Sequence, residues 1–213
     1  MIDRDVFEYE LDEVLPADLP NRENVIQGAA RHIDLIVEAN KVLNLTRITT
    51  PREAAIKHVL DSVVPWRLFA GAKHVLDAGT GAGFPGIPLA LVLPETRFTL
   101  AESILKKARF VDAALADLKL ANAFVTPRRA EELSGVSVIT ARALAPIPKA
   151  LALFRPALKD GARLVFYKGP DAEQEIADAT DEARKFRVRM DVVMKYDLPE
   201  SLGTRRIVEI QAA

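Results

Sequence analysis

The sequence predicts an α/β fold: a largely parallel, seven-stranded sheet closed by an antiparallel C-terminal hairpin, with a helical extension in front of it. Three observations predict it. From His74 to Lys185, short apolar strands alternate with helical segments, the pattern that builds a parallel sheet covered on both faces. The rhythm then breaks: FRVRMDVVMKYDL (186–198) and RRIVEIQA (205–212) are both strand-like, and the LPESLGT between them is too short for a crossover helix. Up to about residue 70 the chain is helical in pattern and carries no strand signal.

Each element can be justified in order. Val25, Ile26, Ala29, Ala30, Ile33, Ile36 and Val37 recur at helical spacing and predict an amphipathic helix over 22–42. A second helix starts at Pro51, with Thr50 as its cap, carries the apolar stripe Ile56, Val59, Leu60 and Val63, and ends at Pro65. HVLDAG (74–79) reads as a short buried strand, with a helix from about Phe84 to Leu93 after it. RFTLAES (97–103) is the next strand and 104–119 the next helix. NAFVTP (122–127) and VSVITARA (136–143) are strands with a short helical piece between them. ARLVFYKG (162–169) is the fifth strand, and a helix follows from about Asp171 to Lys185. Residues 1–70 thus form a helical extension with an acidic leader at 1–24, and 71–213 form the sheet domain. A parallel sheet ending in an antiparallel hairpin is typical of the class I S-adenosylmethionine-dependent methyltransferase fold, Rossmann-like in build, and unusual in the six-stranded dinucleotide fold.

Composition narrows the chemistry. The 213 residues contain no cysteine, which excludes disulfides, cysteine-ligated zinc and a thiol nucleophile. His32, His58 and His74 lack metal-ligand spacing, so no metal is expected. The start, MIDRDVFEYE, is acidic and lacks the apolar core of a secretory signal. The longest uncharged run, Ala78 to Pro94, carries four glycines and three prolines and reads as a loop and a buried helix rather than a membrane span. A soluble cytoplasmic protein is expected. Net charge is −1, but residues 1–24 hold eight acids and two bases, so the remainder is mildly basic. Its bases cluster at Lys106-Lys107 with Arg109, at Arg128-Arg129, at Arg184-Lys185 with Arg187 and Arg189, and at Arg205-Arg206. Solvated faces explain any one cluster; several on one side would suit a phosphate backbone.

The densest signal is VLDAGTGAGFPGIPLA (75–90), in which Gly79, Gly81, Gly83 and Gly86 fall within eight residues behind a strand. Gly81-Ala-Gly83-Phe-Pro-Gly86 fits the dinucleotide pattern G-x-G-x-x-G. Ligands of open parallel sheets bind beyond the carboxyl ends of the strands. Glu102, at the end of the second strand, suits a ribose diol, which NAD and S-adenosylmethionine share. Asp77 discriminates: beside the turn it would repel a pyrophosphate but suit the ammonium of a methionine moiety and a nearby sulfonium. Phe84, Pro85 and Pro88 also crowd a turn meant to aim N–H groups at phosphate. S-adenosylmethionine is the expected cofactor, with an NAD-dependent oxidoreductase as the alternative.

The acceptor is narrowed by what is missing. Attack on pyrimidine C5 needs a cysteine. Transfer to exocyclic amines usually uses an Asn/Asp-Pro-Pro-aromatic turn after the fourth strand, where this chain has ITARALAPIP with Arg142 at its start. Arginine is a poor base, but it can anchor an anion, stack on a base, or donate to guanine O6 and N7. A ring nitrogen that already presents a lone pair fits best.

The stretches NKVLNLTRI (40–48), KHVLDSV (57–63), VLDAGTGAGFPGIPLAL (75–91), ESILKKARF (102–110), RRAEEL (128–133), ARALAP (141–146) and YKG (167–169) occur in an order that resembles the bacterial glucose-inhibited division protein B family, the small-subunit ribosomal RNA methyltransferases G. The resemblance implies methylation of N7 of one guanine in the decoding-region loop of 16S ribosomal RNA. It implies that Gly79 and Phe84 line the cofactor pocket, that Ala130 and Glu131 contact the adenine end, and that Arg142 borders both cofactor and substrate. Asn44, facing the guanine, and His58 join Arg142 as candidate catalytic residues that position rather than act as a base. His58, Asp61 and Ser62 share one face of their helix; a solvated face is the ordinary reading of such a pattern, but the recurrence of KHVLDSV as a block in the family favours a functional one. Asn44 reads otherwise as a turn residue, and Lys168-Gly169 as a strand end or an RNA contact. His32 and His74 read as structural. The sequence departs from the family at Ala39, Glu102 and Ala141, where Trp, Asp and Ser are common. A non-catalytic ribosome-binding module remains a second alternative.

Overall fold

A computed structural model describes residues 4–48 and 50–213; the first three residues of the acidic leader lie outside it. Seven strands form one sheet in the order β3-β2-β1-β4-β5-β7-β6. They are β1 (His74–Ala78), β2 (Arg97–Ala101), β3 (Ala123–Thr126), β4 (Val138–Arg142), β5 (Arg163–Lys168), β6 (Val188–Leu198) and β7 (Gly203–Ala212). The first five are mutually parallel, so their carboxyl ends share one edge. Strand β7 runs antiparallel to both β5 and β6 and sits between them. The predicted hairpin is there, with β7 inserted beside β5.

The sheet is buried on both faces because its central strands are apolar at successive positions. Leu76 and Ala78 face one side, against Leu151 and Phe154 of α7 (Ile147–Lys159) and Ala172 and Ala183 of α8 (Ala172–Asp178) and α9 (Thr180–Phe186). Val75 faces the other, with Ile87 and Leu89 of α5 (Gly86–Val92) and Val111 of α6 (Leu105–Asp117). A third cluster belongs to the N-terminal helices α1 (Arg4–Val14) and α2 (Arg22–Leu43), where Phe7, Leu11, Val25, Ile33 and Ile36 join Ala82, Phe84, Val92 and Leu198. The leader is therefore not merely acidic: α1 is amphipathic, with Phe7 and Leu11 at 1 % and 0 % exposure.

Three local expectations need correction. The helix expected from Phe84 starts at Gly86, because Phe84 N donates to Thr80 O at 3.1 Å and keeps the preceding residues in a tight turn. The helix expected over 171–185 is two, broken at the buried Ala179. There Thr180 Oγ1 donates to Ala177 O at 2.8 Å, a side chain competing for a helical carbonyl. The helix from Pro51 is α3 (Pro51–Ala54), a π-helical turn (Ala55–Leu60) and α4 (Asp61–Val63). Thr50 does cap it, accepting from Glu53 N at 3.4 Å. Its polar side is not solvated: His58, Asp61 and Ser62 are 8 %, 0 % and 0 % exposed, so both sides of the segment pack.

Candidate functional site: the carboxyl edge of the sheet

Parallel strands place the Asp77–Gly86 turn, Glu102, the Ala130–Glu131 segment, Arg142 and Lys168 along one edge. The turn is built by backbone that only glycine adopts cheaply: φ is +70° at Gly79, +61° at Gly81 and +101° at Gly83. The reasons for the glycines differ. A Cβ at Gly83 would meet Ile87 Cδ1 at 2.6 Å and the His32 ring at 3.1 Å, so that glycine serves packing. A Cβ at Gly81 would meet nothing nearer than Gly79 O at 4.0 Å, so that position opens onto free space.

Two carboxylates brace the turn. Asp77, wholly buried, accepts from Thr80 Oγ1 at 2.6 Å and from Gly86 N at 2.9 Å through Oδ2, while Oδ1 has no partner among the described residues. Burial pushes its carboxyl up to about 6, against the lowering pull of those two bonds. Glu102 accepts from Gly81 N at 3.1 Å and Ile104 N at 2.8 Å, one bond per oxygen, which leaves each oxygen acceptor capacity for a diol. Ala130 is buried beside Ala78 and Ala101, and Glu131 is half-buried, 3.8 Å from Arg129. These residues fit the cofactor that the sequence implies: an open cradle at Gly81, an acceptor next to it in Glu102, and an unpaired buried oxygen on Asp77.

Phe84 is buried, stacks on His58 with centroids 4.6 Å apart, lies tilted against His32 at 4.9 Å, and sits under the Arg142 guanidinium at 5.4 Å. His58 Nε2 lies 2.9 Å from Thr46 Oγ1, and its Nδ1 has no partner among the described residues. Burial and the Arg142 charge push His58 down to about 3. Burial pushes His32 down to about 4, and its Nε2 lies 2.8 Å from Ala82 O. Arg142 donates to Lys57 O at 2.7 Å and approaches Asp61 at 3.4 Å.

The family model GidB, rRNA small subunit methyltransferase G, matches residues 25–202. The chain belongs to this family. A ribosomal RNA small subunit methyltransferase G of Solibacter usitatus is 64 % identical over 96 % of this chain and 99 % of its own length. One of Pelotomaculum thermopropionicum is 35 % identical over 89 % and 83 %. Among solved structures, an O-methyltransferase from Bacillus cereus in complex with SAH aligns over 97 % of both chains with a TM-score of 0.59 at 18 % identity. The Streptomyces achromogenes O-methyltransferase TomG, in complex with SAM, aligns over the whole of both with a TM-score of 0.56 at 17 % identity. The fold is that of class I S-adenosylmethionine-dependent methyltransferases.

Beside that family's expected residues stand Asp61, whose partners the sequence reading did not assign, and Asn40, which it did not single out. Asp61 receives Arg205 Nε at 3.0 and 3.1 Å, the Tyr196 hydroxyl at 3.1 Å and Arg142. Asn40 Oδ1 accepts from Leu45 N and Thr46 N, and its Nδ2 donates to Thr46 O at 2.9 Å, so Asn40 sets the loop that presents Thr46 to His58. Asn44 ends α2 in the left-handed conformation at φ +51° and is exposed, two residues before Thr46. Asn40 lies inside NKVLNLTRI, a block that carries the family resemblance, which is the signal that could have found it. Among the described residues, no group of three or more His, Asp or Glu side chains could hold a metal ion, and no helix is long and apolar enough to cross a membrane.

Proposed function

We propose that this chain transfers a methyl group from S-adenosylmethionine to N7 of one guanine in the decoding-region loop of 16S ribosomal RNA, in the cytoplasm. Membership of the GidB family carries methyl transfer to small-subunit RNA. The observation that favours a ring nitrogen is the state of the bases at the site. His58, pushed down to about 3, is too weak a base to take a proton at neutral pH. Asp61 is held by Arg142 and Arg205, and Asp77 lies wholly buried behind the turn. An acceptor that must lose a proton would find none of these groups ready.

S-adenosylmethionine, when bound, supplies a methyl group on a positively charged sulfur that a lone pair can attack. Gly79, Gly81 and the backbone at Phe84 would admit it, Glu102 would accept from its ribose diol, and Ala130 and Glu131 would meet its adenine. Asp77 would lend negative charge on the methionine side. Arg142 would hold the guanine by stacking or by donating to O6, leaving N7 free. His58, through Thr46 and Phe84, and Asn44, from the end of α2, would shape the guanine's side of the site. Catalysis then comes from alignment of two reactants, which can contribute on the order of 7–11 kcal/mol. Within this reading 71–213 is the unit that holds the cofactor, and the helical part is the extension packed against it. The test is incubation of unmethylated small subunits with isotopically methyl-labelled S-adenosylmethionine, followed by mass mapping of 16S RNA. One labelled N7-methylguanine in the decoding-region loop is expected; label on another base or atom overturns the assignment.

A further inference from the structure

Strand β4 ends at Arg142, and the loop from Ala143 to Pro146 leads into α7. Ala143 is held at φ +57°, a conformation that costs an alanine about 1 kcal/mol or more. The loop is fastened on its far side. Lys168, at the end of β5, donates from Nζ to Ala145 O at 2.7 Å and to Glu175 Oε2 at 2.7 Å. The same Glu175 oxygen accepts from Ile147 N, the first N–H of α7, at 2.8 Å. One ion pair therefore fixes both a loop carbonyl and the helix start. The side chains are 11 % and 27 % exposed, so the pair is shielded far more than a surface bridge.

What the fastening holds in place is Leu144. Its Cδ1 lies where a Cβ at Gly79 would come within 2.9 Å, so this half-exposed leucine rests against the first glycine of the turn. Exposed large apolar side chains are ordinary singly, but this one stands over the backbone that the cofactor must approach. We propose that Lys168 and Glu175 are positioning residues that clasp the β4–α7 loop, and that the clasp makes Leu144 a wall of the S-adenosylmethionine pocket at Gly79. This rests on the reading that the glycine turn holds that cofactor. The strain at Ala143 explains why a clasp is needed: without it, the loop relaxes and takes Leu144 off the turn.

The test is calorimetric titration of S-adenosylmethionine into the full chain, with small-subunit RNA binding measured beside it. Lys168→Met and Glu175→Leu should each raise the Kd for S-adenosylmethionine about tenfold, equivalent to about 1.4 kcal/mol, with RNA affinity unchanged. Because the two act as one unit, the double variant should cost no more than either single one. Leu144→Ala, whose side chain is too exposed to unfold the chain, should raise the same Kd without moving the thermal midpoint. Lys168→Arg keeps a charge and several donors and should stay near the parent. Weakened RNA binding with an unchanged cofactor Kd in Lys168→Met would overturn the clasp and make Lys168 an RNA contact. Full additivity of the two single losses would overturn it as well. A parent chain that binds no S-adenosylmethionine would instead sink the cofactor reading itself.

Discussion

A single carboxylate, Asp61, ties the helical segment around residue 60 to the fourth strand through Arg142 and to the terminal hairpin through Arg205 and Tyr196. It is wholly buried, and removing one member of a buried charge group leaves the others uncompensated. Asp61→Asn should lower unfolding stability by about 3 kcal/mol, read by urea denaturation, because two guanidinium groups lose their counter-charge. The neighbouring histidines give a pH prediction with a definite sign. His32 titrates at about 4 when folded, against 6.5 when free, so the folded state takes up its proton later than the unfolded state. Its stabilisation is full above pH 6.5 and is lost as pH falls toward 4, by about 3 kcal/mol for such a shift. A variant with His32→Phe should show a smaller drop in stability across that interval. In the reaction itself, His58 titrates at about 3, so single-turnover methylation should be flat from about pH 6.5 to 9 with RNA saturating. A step near 6.5 that disappears in His58→Ala would reverse the assignment of His58 as a neutral positioning group.

Elements carry the next level. Helix α1 is joined to the body by Phe7 and Leu11 and by Arg52, which bridges Glu10 at 2.8 Å and Glu200 at 2.7 Å. Phe7→Ala should cost about 3–5 kcal/mol, while Arg52→Met should cost about 1 kcal/mol or less, because the bridges are partly solvated. Comparable losses from both variants would mean that charge, not apolar burial, docks the leader. The glycine turn invites a paired test. At Gly81 a methyl group has room but the backbone sits at φ +61°. Gly81→Ala should fold at a cost of about 1–2 kcal/mol and lose cofactor affinity, whereas Gly81→Val adds a branched side chain at a left-handed position and should lose more stability. Normal cofactor binding by folded Gly81→Ala would mean that the open space above Gly81 is not the pocket.

Across the whole molecule, charge is divided rather than balanced. Many of the clustered bases are engaged: Arg205 with Asp61, Arg206 with Glu173, Arg128 with Glu132, Arg184 with Asp181 and Arg189 with Asp191. Lys106 and Arg109, exposed on α6 just beyond Glu102, have no ion pair among the described residues and stay available to phosphate. RNA affinity should therefore fall steeply with salt, and Lys106→Gln with Arg109→Gln should reduce the slope of log K against log salt by about two, leaving the cofactor Kd unchanged. An unchanged slope would place the RNA on another face. Much of this molecule was legible in its sequence. Period-two and period-3.6 patterns are local, so the strands, most helices and the hairpin could be read from apolar spacing. The glycine turn and Glu102 could be read because cofactor chemistry demands particular residue types at the ends of particular strands. What the tertiary structure alone decided are the things that depend on distant partners. It buried the polar side of the segment after Pro51, because the hairpin's Arg205 and Tyr196 arrive there from more than 130 residues away. It made Phe84 the middle of a ring stack, and it set Leu144 over Gly79 by way of Lys168 and Glu175. A sequence specifies its periodicities within a few turns, but which charge meets which across the sheet is fixed only when the strands take their order.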